Sequence, residues 1–576
     1  MSKHWKLAEK IPQKISQDLS AYPKVLQQIL YNRGFKTSEA AEVFLRPEYN
    51  QLLDPNLFKD MQKAVKRIWQ AVKNGEKICI YGDYDADAVT ANAVLQQTLR
   101  YMGGEVESYI PDRFAEGYGV NLDAVGKIIQ SGVKIIITVD CGTNSTDAAD
   151  FCKLHGVDFI VTDHHEIIGE LPKAYALINP KNPEDLFPYK EITGVGVAFK
   201  LASALLAAVN EYTEYVPPSG DPINPQWAKW LLDLVAIGTV ADCHSLIGEN
   251  RILTHFGLKV LEKTKWTGLR QLMNAAGLEN LSRSLDAYAL GYVIAPRLNA
   301  AGRLEHANVA LHLLMEQDSI EALNRAFALE EINRRRQQLT EQILSEAREQ
   351  AEQHSNRKFL VLMGKDWPKG VVGLVAGKIA EEFNKPTIVL SQEGDLATGS
   401  ARTVGGYSVI ESLIFAKDYL LRFGGHKQAA GLTLKAINYS PFYQAVLLHA
   451  ESHLEEEDMK KIIYLDAELE PDEINLRTYE GLEKFGPFGV DNIKPRFFIQ
   501  GLKIQTMRLV GVSQNHLQLS LGINGRLFKA IGFNLGSFAK RLKVGDTINA
   551  AVELMKDHWN GNEELKIRLI DIQMLN

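Results

Sequence analysis

Three apolar runs rich in β-branched residues each break off at a cluster of carboxylates or histidines, and that repeated juncture constrains the fold more than any other feature. Lys77-Ile-Cys-Ile80 runs into Tyr81-Gly-Asp-Tyr-Asp-Ala-Asp-Ala88, Val133 to Val139 into Asp140, and Val157 to Val161 into Asp163-His-His165. Unbroken runs of this kind indicate strands buried on both faces, as in a parallel sheet. Helical patterns lie between them: Val89 to Met102, stopped by Gly103-Gly104, and Asn121 to Gln130, with Asn121 as N-cap and Gly132 as the stop. Strand and helix thus alternate as in βαβ units. Ligands of such sheets bind outside the carboxyl ends of the strands, so topology predicts that the clusters meet at one edge. Asp242, after the apolar run Trp230 to Val240, reads as a fourth strand end.

Oxygen-rich donors with one or two imidazoles suit Mg²⁺ or Mn²⁺ better than zinc. Two such ions about 3.5–4 Å apart share a bridging carboxylate and stabilise both oxygens of a phosphoryl displacement. On extended chain Asp83, Asp85 and Asp87 fall on one side, whereas the adjacent His164 and His165 point opposite ways, leaving one imidazole for an ion and one for substrate. Each feature alone has a plainer reading: a solvated turn, a hydrogen-bonded histidine pair, a helix cap at Asp242. Their occurrence together and in order favours a metal-dependent hydrolase.

These segments resemble the DHH phosphoesterase superfamily and, within it, the RecJ family of single-strand-specific 5′→3′ exonucleases. The resemblance also rests on Ile110-Pro-Asp-Arg-Phe-Ala-Glu-Gly-Tyr-Gly119, Gly238-Thr-Val-Ala-Asp242, Pro296-Arg-Leu-Asn-Ala-Ala-Gly-Arg303, Gly399-Ser-Ala-Arg402 and Gly424-Gly-His-Lys-Gln-Ala-Ala-Gly431. It covers nearly the whole chain and implies an α/β protein: a parallel-sheet DHH domain, a long connecting helix, a smaller α/β DHHA1 domain and a C-terminal OB-fold β-barrel. The expected divisions are a helical segment at 1–55, the DHH domain at 56–316, the connecting helix at 317–355, the DHHA1 domain at 356–455 and the OB-fold at 456–576.

By the same resemblance Asp85, Asp87, Asp140, His164 and Asp242 match ligands of two divalent cations, Mn²⁺ or Mg²⁺, with Asp140 as the bridge. Asp83 and His165 match catalytic positions, His165 at the scissile phosphate. Arg113, Arg297, Asn299, Arg303, Ser400, Arg402, Gly424, Gly425 and His426 match positions that grip the DNA backbone or its 5′ end. The implied activity is release of 5′-mononucleotides from single-stranded DNA in repair and recombination, by a cytoplasmic monomer supplied by a helicase or a single-strand-binding protein. Two other readings stand beside it: a DHH phosphodiesterase for short oligonucleotides or cyclic dinucleotides, whose chain would lack the barrel, and a non-catalytic DNA-binding scaffold, which would have lost ligands. Three departures matter: Ala88 where glycine is usual, Pro368 in place of a histidine, and Asp491 and Ile493 within a Gly-Asn-Pro pattern.

The rest of the chain fits. Its 576 residues suffice for three or four domains, and no signal region or 18-residue apolar run is expected. The four cysteines form no C-x-x-C pair, and Cys243-His244 lacks the second ligand pair of a zinc site. A net charge of −7 argues for a local DNA channel rather than a basic surface. Asp318 to His354 reads as a connecting helix striped by Leu329, Ile332, Leu339 and Ile343, with Arg334 to Arg336 either lining a DNA path or, for at least one of them, forming a solvated helix face. Past Asp466, alternating Leu517, Leu519 and Leu521, the Asn524-Gly525 turn, a short helix at Ser537 to Leu542 and a turn at Trp559-Asn-Gly561 predict the barrel.

Overall fold

A computed structural model describes residues 3–575 apart from 118, 213, 279–284, 456, 560 and 561. Its first sheet has five parallel strands in the spatial order Val106–Tyr109, Ile78–Gly82, Ile135–Val139, Asp158–Thr162 and Ala176–Ile178. Numbered along the chain this is 2-1-3-4-5, so the winding reverses between Ile78–Gly82 and Ile135–Val139. The crevice at the carboxyl ends of those two strands is the ligand position in such sheets. Both strands are buried throughout. Ile78, Ile80, Ile135 and Ile137 feed the core on one face, while Cys79, Tyr81 and Ile136 feed the other, because successive strand side chains alternate. Each buried isoleucine stabilises by roughly 1.5–3 kcal/mol. A slip of one residue would exchange the two sets, so packing fixes where each strand ends.

Helix Ala86–Tyr101 starts three residues ahead of its apolar pattern because Asp85 caps it, accepting from the Ala88 amide at 3.0 Å. Asn121 caps Leu122–Gln130 as expected, and Gly132 follows with φ +91°. The run Trp230 to Val240 is not a strand. It folds into a 3-10 turn and helix Leu232–Ala241, so Asp242 ends a helix. Leu232 to Thr239 are all buried, and a helix with no polar face carries the same unbroken apolar signature as a core strand. Contrary to expectation, one 18-residue window, Gly194–Glu211, is long and apolar enough to cross a membrane; most of it is buried inside this domain as a core helix.

The connecting helix Ser319–Gln353 is capped by Asp318 and spans about 50 Å at 1.5 Å per residue. Its Leu329 packs into the first domain, and Ile343, Leu344 and Ala347 pack into the second. Leu339 of the expected stripe is only half-buried. The second sheet runs Leu420–Gly425, Ala429–Lys435, Leu396–Arg402, Thr387–Glu393, Leu360–Lys365, with only the last pair parallel. The glycine-rich segment 423–432 is a hairpin that pairs Gly424 with Gly431 and Gly431 with Ser400. Pro368 precedes helix Lys369–Phe383, where its fixed φ suits a helix start.

The C-terminal strands Phe497–Val510, His516–Ile523, Arg526–Gly532, Asn562–Met574 and Thr547–Trp559 pair in that order, and the last closes on the first. This is the five-stranded barrel of an OB-fold. The expected short helix is a 3-10 turn, Gly536–Lys540. The turn at 559–561 falls partly outside the described residues.

The first residues fold back onto this barrel. Strand His4–Leu7 pairs in parallel with Ile462–Leu465, and Val25, Leu26, Ile29, Leu30 and Phe44 share one core with Phe485, Phe497 and Leu519. Arg33 fastens the unit: its Nε donates to Asn492 Oδ1 at 2.9 Å, a second nitrogen donates to the Ile493 carbonyl, and the guanidinium stacks on Phe485. Asn492 is fully buried and donates to the Phe485 and Pro487 carbonyls; the preceding Asp491 adopts φ +58°. From the first domain, Arg251 donates to the carbonyls of Lys484 and Gly486. Arg33→Ala strands the buried Asn492 oxygen and should cost about 1–3 kcal/mol. Urea unfolding of the full chain checks this; an unshifted midpoint would show that the clasp contributes nothing.

Candidate metal centre

Asp83 directly follows strand Ile78–Gly82, Asp140 follows Ile135–Val139, and Asp163 to His165 follow Asp158–Thr162. Asp242 reaches the same place from its helix end. Asp85 and Asp87 do not lie on extended chain with Asp83, because the helix has begun: Asp85 is its N-cap and Asp87 is in its first turn. The two Asp87 oxygens accept from the Gly194 and Val195 amides at 2.8 and 2.9 Å. These amides open a core helix, whose dipole favours an anion there. Close packing explains two glycines. A Cβ on Gly194 would lie 2.6 Å from Asp140 Oδ1, and one on Gly238 would lie 2.7 Å from Asp87 Oδ1. Asp140 itself adopts φ +57°, a conformation costing on the order of 1–3 kcal/mol for a non-glycine residue. Ala88, by contrast, sits in an ordinary helical turn with its amide on Asp85, so the usual glycine is not required by the backbone.

The two histidines converge instead of pointing apart, their rings 4.6 Å from each other. His164 Nε2 lies 2.9 Å from Asp140 Oδ1 and 3.6 Å from Asp242 Oδ2. His165 Nδ1 lies 2.8 Å from Asp163 Oδ1 and 3.8 Å from Asp140 Oδ1. Sequence reasoning places Asp163 in the strand-end cluster but gives it no separate role. It also accepts from the amides of Thr143, His164 and His165, so it sets the histidine turn and aims His165. Its only sequence signal is its place ahead of the pair. His244 is likewise assigned no role by the motifs, and its Nε2 stands 3.1 Å from Asp242 Oδ2.

The donor set fits divalent cations. Asp83 Oδ1, Asp140 Oδ1 and His164 Nδ1 are buried with no hydrogen-bond partner. Burial, then the neighbouring Asp85, pushes Asp83 up to about 8. Asp87 and Asp140 are driven well above the carboxylate range by burial and by the other carboxylates, and Asp85 is raised by burial and Asp242. Burial lowers His164 to about 3, which keeps it neutral with a lone pair to give. His165 behaves oppositely. Burial opposes its charge, but the Asp163 hydrogen bond and nearby carboxylates outweigh that and raise it to about 9. Burial likewise pushes Asp163 up, yet His165 and the hydrogen bonds it accepts hold it below the usual range. One imidazole is thus a lone-pair donor and its neighbour a cation.

Facing this acidic edge is a group of arginines from both α/β domains. Arg303 is pushed down to about 10 by burial and by the charges of Arg113, Arg336 and Arg402, and Arg402 is lowered by burial and Arg113. Arg303 donates to the Gly370 carbonyl, Arg402 to Ser400 Oγ and the Ala401 carbonyl, and Arg113 lies over Tyr84. None of these four makes an ion pair among the described residues. Two other expected DNA contacts are engaged internally: Arg297 pairs with Glu330 at 2.5 Å, and Asn299 Oδ1 accepts from the Ala86 amide at 2.9 Å. Gly424, Gly425 and His426 are exposed at the hairpin tip. On the connecting helix Arg334 pairs with Glu331, whereas Arg336 turns inward to Asn333.

Residues 77–239 match the DHH family, N-terminal domain; residues 356–449 match the DHHA1 domain; residues 465–571 match the RecJ OB domain. The chain is 36% identical over 560 residues to the single-stranded-DNA-specific exonuclease RecJ of Bacillus subtilis (strain 168), covering 97% of this chain and 69% of that one. It is 34% identical to the protein of the same name from Dickeya dadantii (strain 3937), covering 95% of each. Its fold matches the crystal structure of RecJ in complex with Mn²⁺ from Thermus thermophilus with a TM-score of 0.82 at 28% identity, covering 100% of this chain and 80% of that one.

The buried carboxylates make a pH prediction for the metal-free protein. Between pH 6.5 and about 8 the folded chain holds protons on Asp83 and His165 that the unfolded chain has lost, so stability must fall as pH rises. In chelator the melting temperature should drop across that window, and added Mn²⁺ should raise and flatten it. A metal-insensitive profile would remove these groups from a cation site.

Proposed function

The chain belongs to the RecJ family of single-stranded-DNA-specific exonucleases, and on that premise we propose that it releases 5′-mononucleotides from single-stranded DNA, working 5′→3′ in repair and recombination. The observation that carries the reading is the convergence of carboxylates from separate strand ends onto buried oxygens that no protein donor satisfies. Asp85, Asp87, Asp140, His164 and Asp242 would hold two cations, Mn²⁺ or Mg²⁺, with Asp140 between them. Such ions, when bound, supply Lewis acidity toward phosphoryl oxygens and lower the pKa of water.

The chain's own groups do the rest. His165, held protonated by Asp163, donates toward the phosphate oxygen on which charge develops. Asp83, at the same strand end, keeps one oxygen available to orient water. Arg113, Arg303 and Arg402, with Ser400 and the tip Gly424-Gly425-His426, grip the backbone and the 5′ end. None of these arginines forms an ion pair among the described residues, and Arg303 and Arg402 are buried, so an incoming phosphate meets donors already partly desolvated. Selection of single strands is steric, at an entrance between the two α/β domains, and the barrel extends the hold on the strand by stacking and backbone contacts. The reading includes a cytoplasmic monomer that receives its strand from a helicase or a single-strand-binding protein.

Digestion of 5′-labelled and 3′-labelled oligonucleotides, with and without chelator, tests activity, polarity and metal need. Labelled mononucleotide should appear first from the 5′ end and only with metal; release first from the 3′ end would refute the polarity. Asp140→Ala should abolish hydrolysis while leaving DNA binding largely intact. Asp163→Asn should slow hydrolysis at least about 10²-fold with Mn²⁺ binding retained; a normal rate would show that His165 needs no carboxylate behind it.

A further inference from the structure

We propose that His244 is itself a metal ligand, completing with His164 and Asp242 a cation position that takes Mn²⁺ in preference to Mg²⁺. This rests on the reading above, in which His164 and Asp242 hold an ion, and adds a residue that neither the motifs nor the family likeness assigned.

The tautomer is the starting point. His244 Nδ1 lies 3.1 Å from the Glu191 backbone carbonyl, which can only accept, so the proton of a neutral ring sits on Nδ1. Nε2 then carries the lone pair, and that atom stands 3.1 Å from Asp242 Oδ2. His164 Nε2 stands 3.6 Å from the same oxygen and 2.9 Å from Asp140 Oδ1. The His164, Asp242 and His244 donor atoms all lie within 4.8 Å of one another. Adjacent ligands about 2.1 Å from an octahedral ion are roughly 3.0 Å apart; the His244–Asp242 spacing of 3.1 Å is near that value and the His164–Asp242 spacing of 3.6 Å is somewhat wider. The position also opens outward: the side chains of Asp242 and His244 are 27% and 19% exposed, against 4% for Asp140 and 5% for His164. Coordination sites therefore remain for water and substrate.

Nitrogen content sets the preference. Mg²⁺ favours oxygen donors, whereas imidazole suits transition ions. A position with two imidazoles and a carboxylate gains affinity for Mn²⁺ that an all-oxygen position lacks.

The test measures binding rather than turnover. Full-length chain, His244→Ala and His244→Gln are titrated calorimetrically with MnCl₂ and with MgCl₂, and nitrogen modulation of bound Mn²⁺ is read by pulsed EPR, with circular dichroism confirming the fold. Both variants should lose about 10-fold or more in Mn²⁺ affinity at one position, change far less toward Mg²⁺, and show weaker nitrogen modulation. If His244→Gln keeps full Mn²⁺ affinity and undiminished modulation, His244 only hydrogen-bonds Asp242 and the proposal fails. If the unmodified chain binds no Mn²⁺, the metal-site reading itself fails, a result distinct from the first.

Discussion

Carboxylates that repel one another, held together out of water, are the constraint on which the rest of the structure depends. Two like charges about 4 Å apart cost on the order of 4 kcal/mol even at an effective dielectric of 20. Asp83, Asp85, Asp87 and Asp140 meet at one buried edge, where burial first and then neighbouring carboxylate charges raise their proton affinities. The surroundings are built to hold them there. Fully buried strands fix the starting points of Asp83 and Asp140, a core helix offers two amides to Asp87, and Gly194 and Gly238 leave room where a methyl group would displace an oxygen. Divalent cations are what such an arrangement is able to bind.

The opposite wall has the complementary problem. Burial, and then the charges of neighbouring arginines, weaken the hold of Arg303 and Arg402 on their protons, and none of Arg113, Arg303, Arg336 and Arg402 forms an ion pair among the described residues. Arg303 reaches the Gly370 carbonyl of the second domain, so the guanidinium group also links the two α/β domains. A chain of net charge −7 thereby keeps a local cluster of positive charge without a broadly basic surface. The connecting helix keeps the two walls in register because one end packs in each core.

Much of the site was legible because the parallel sheet writes itself as unbroken apolar runs, and the residues just past each run sit at the carboxyl end of a strand. Asp242 was legible as a site residue but not as a helix terminus, since a helix buried all round loses its 3.6-residue period. The spacing of Asp83, Asp85 and Asp87 misled for a related reason: Asp85 caps a helix, and the cap turns the chain before alternation can operate. Asp163 was legible as part of its cluster but not as the group that orients His165, and His244 was weighed only with Cys243 for zinc, because the partners of either side chain come from the fold. Arg297 and Asn299 matched DNA-contact positions, yet Glu330 and the Ala86 amide occupy them, partners that sequence spacing cannot reveal.

From its order of residues alone this chain determined the sheet, the helices that flank it and the chemistry at the strand ends, since burial patterns and caps are local properties. Only tertiary structure decided that residues near the start complete the core of the C-terminal barrel, that Gly424 to His426 form a hairpin tip, and that His164, Asp242 and His244 share one point in space. Those outcomes depend on contacts between distant segments, whose energies come from shape and charge matched across the fold, which no local window of sequence contains.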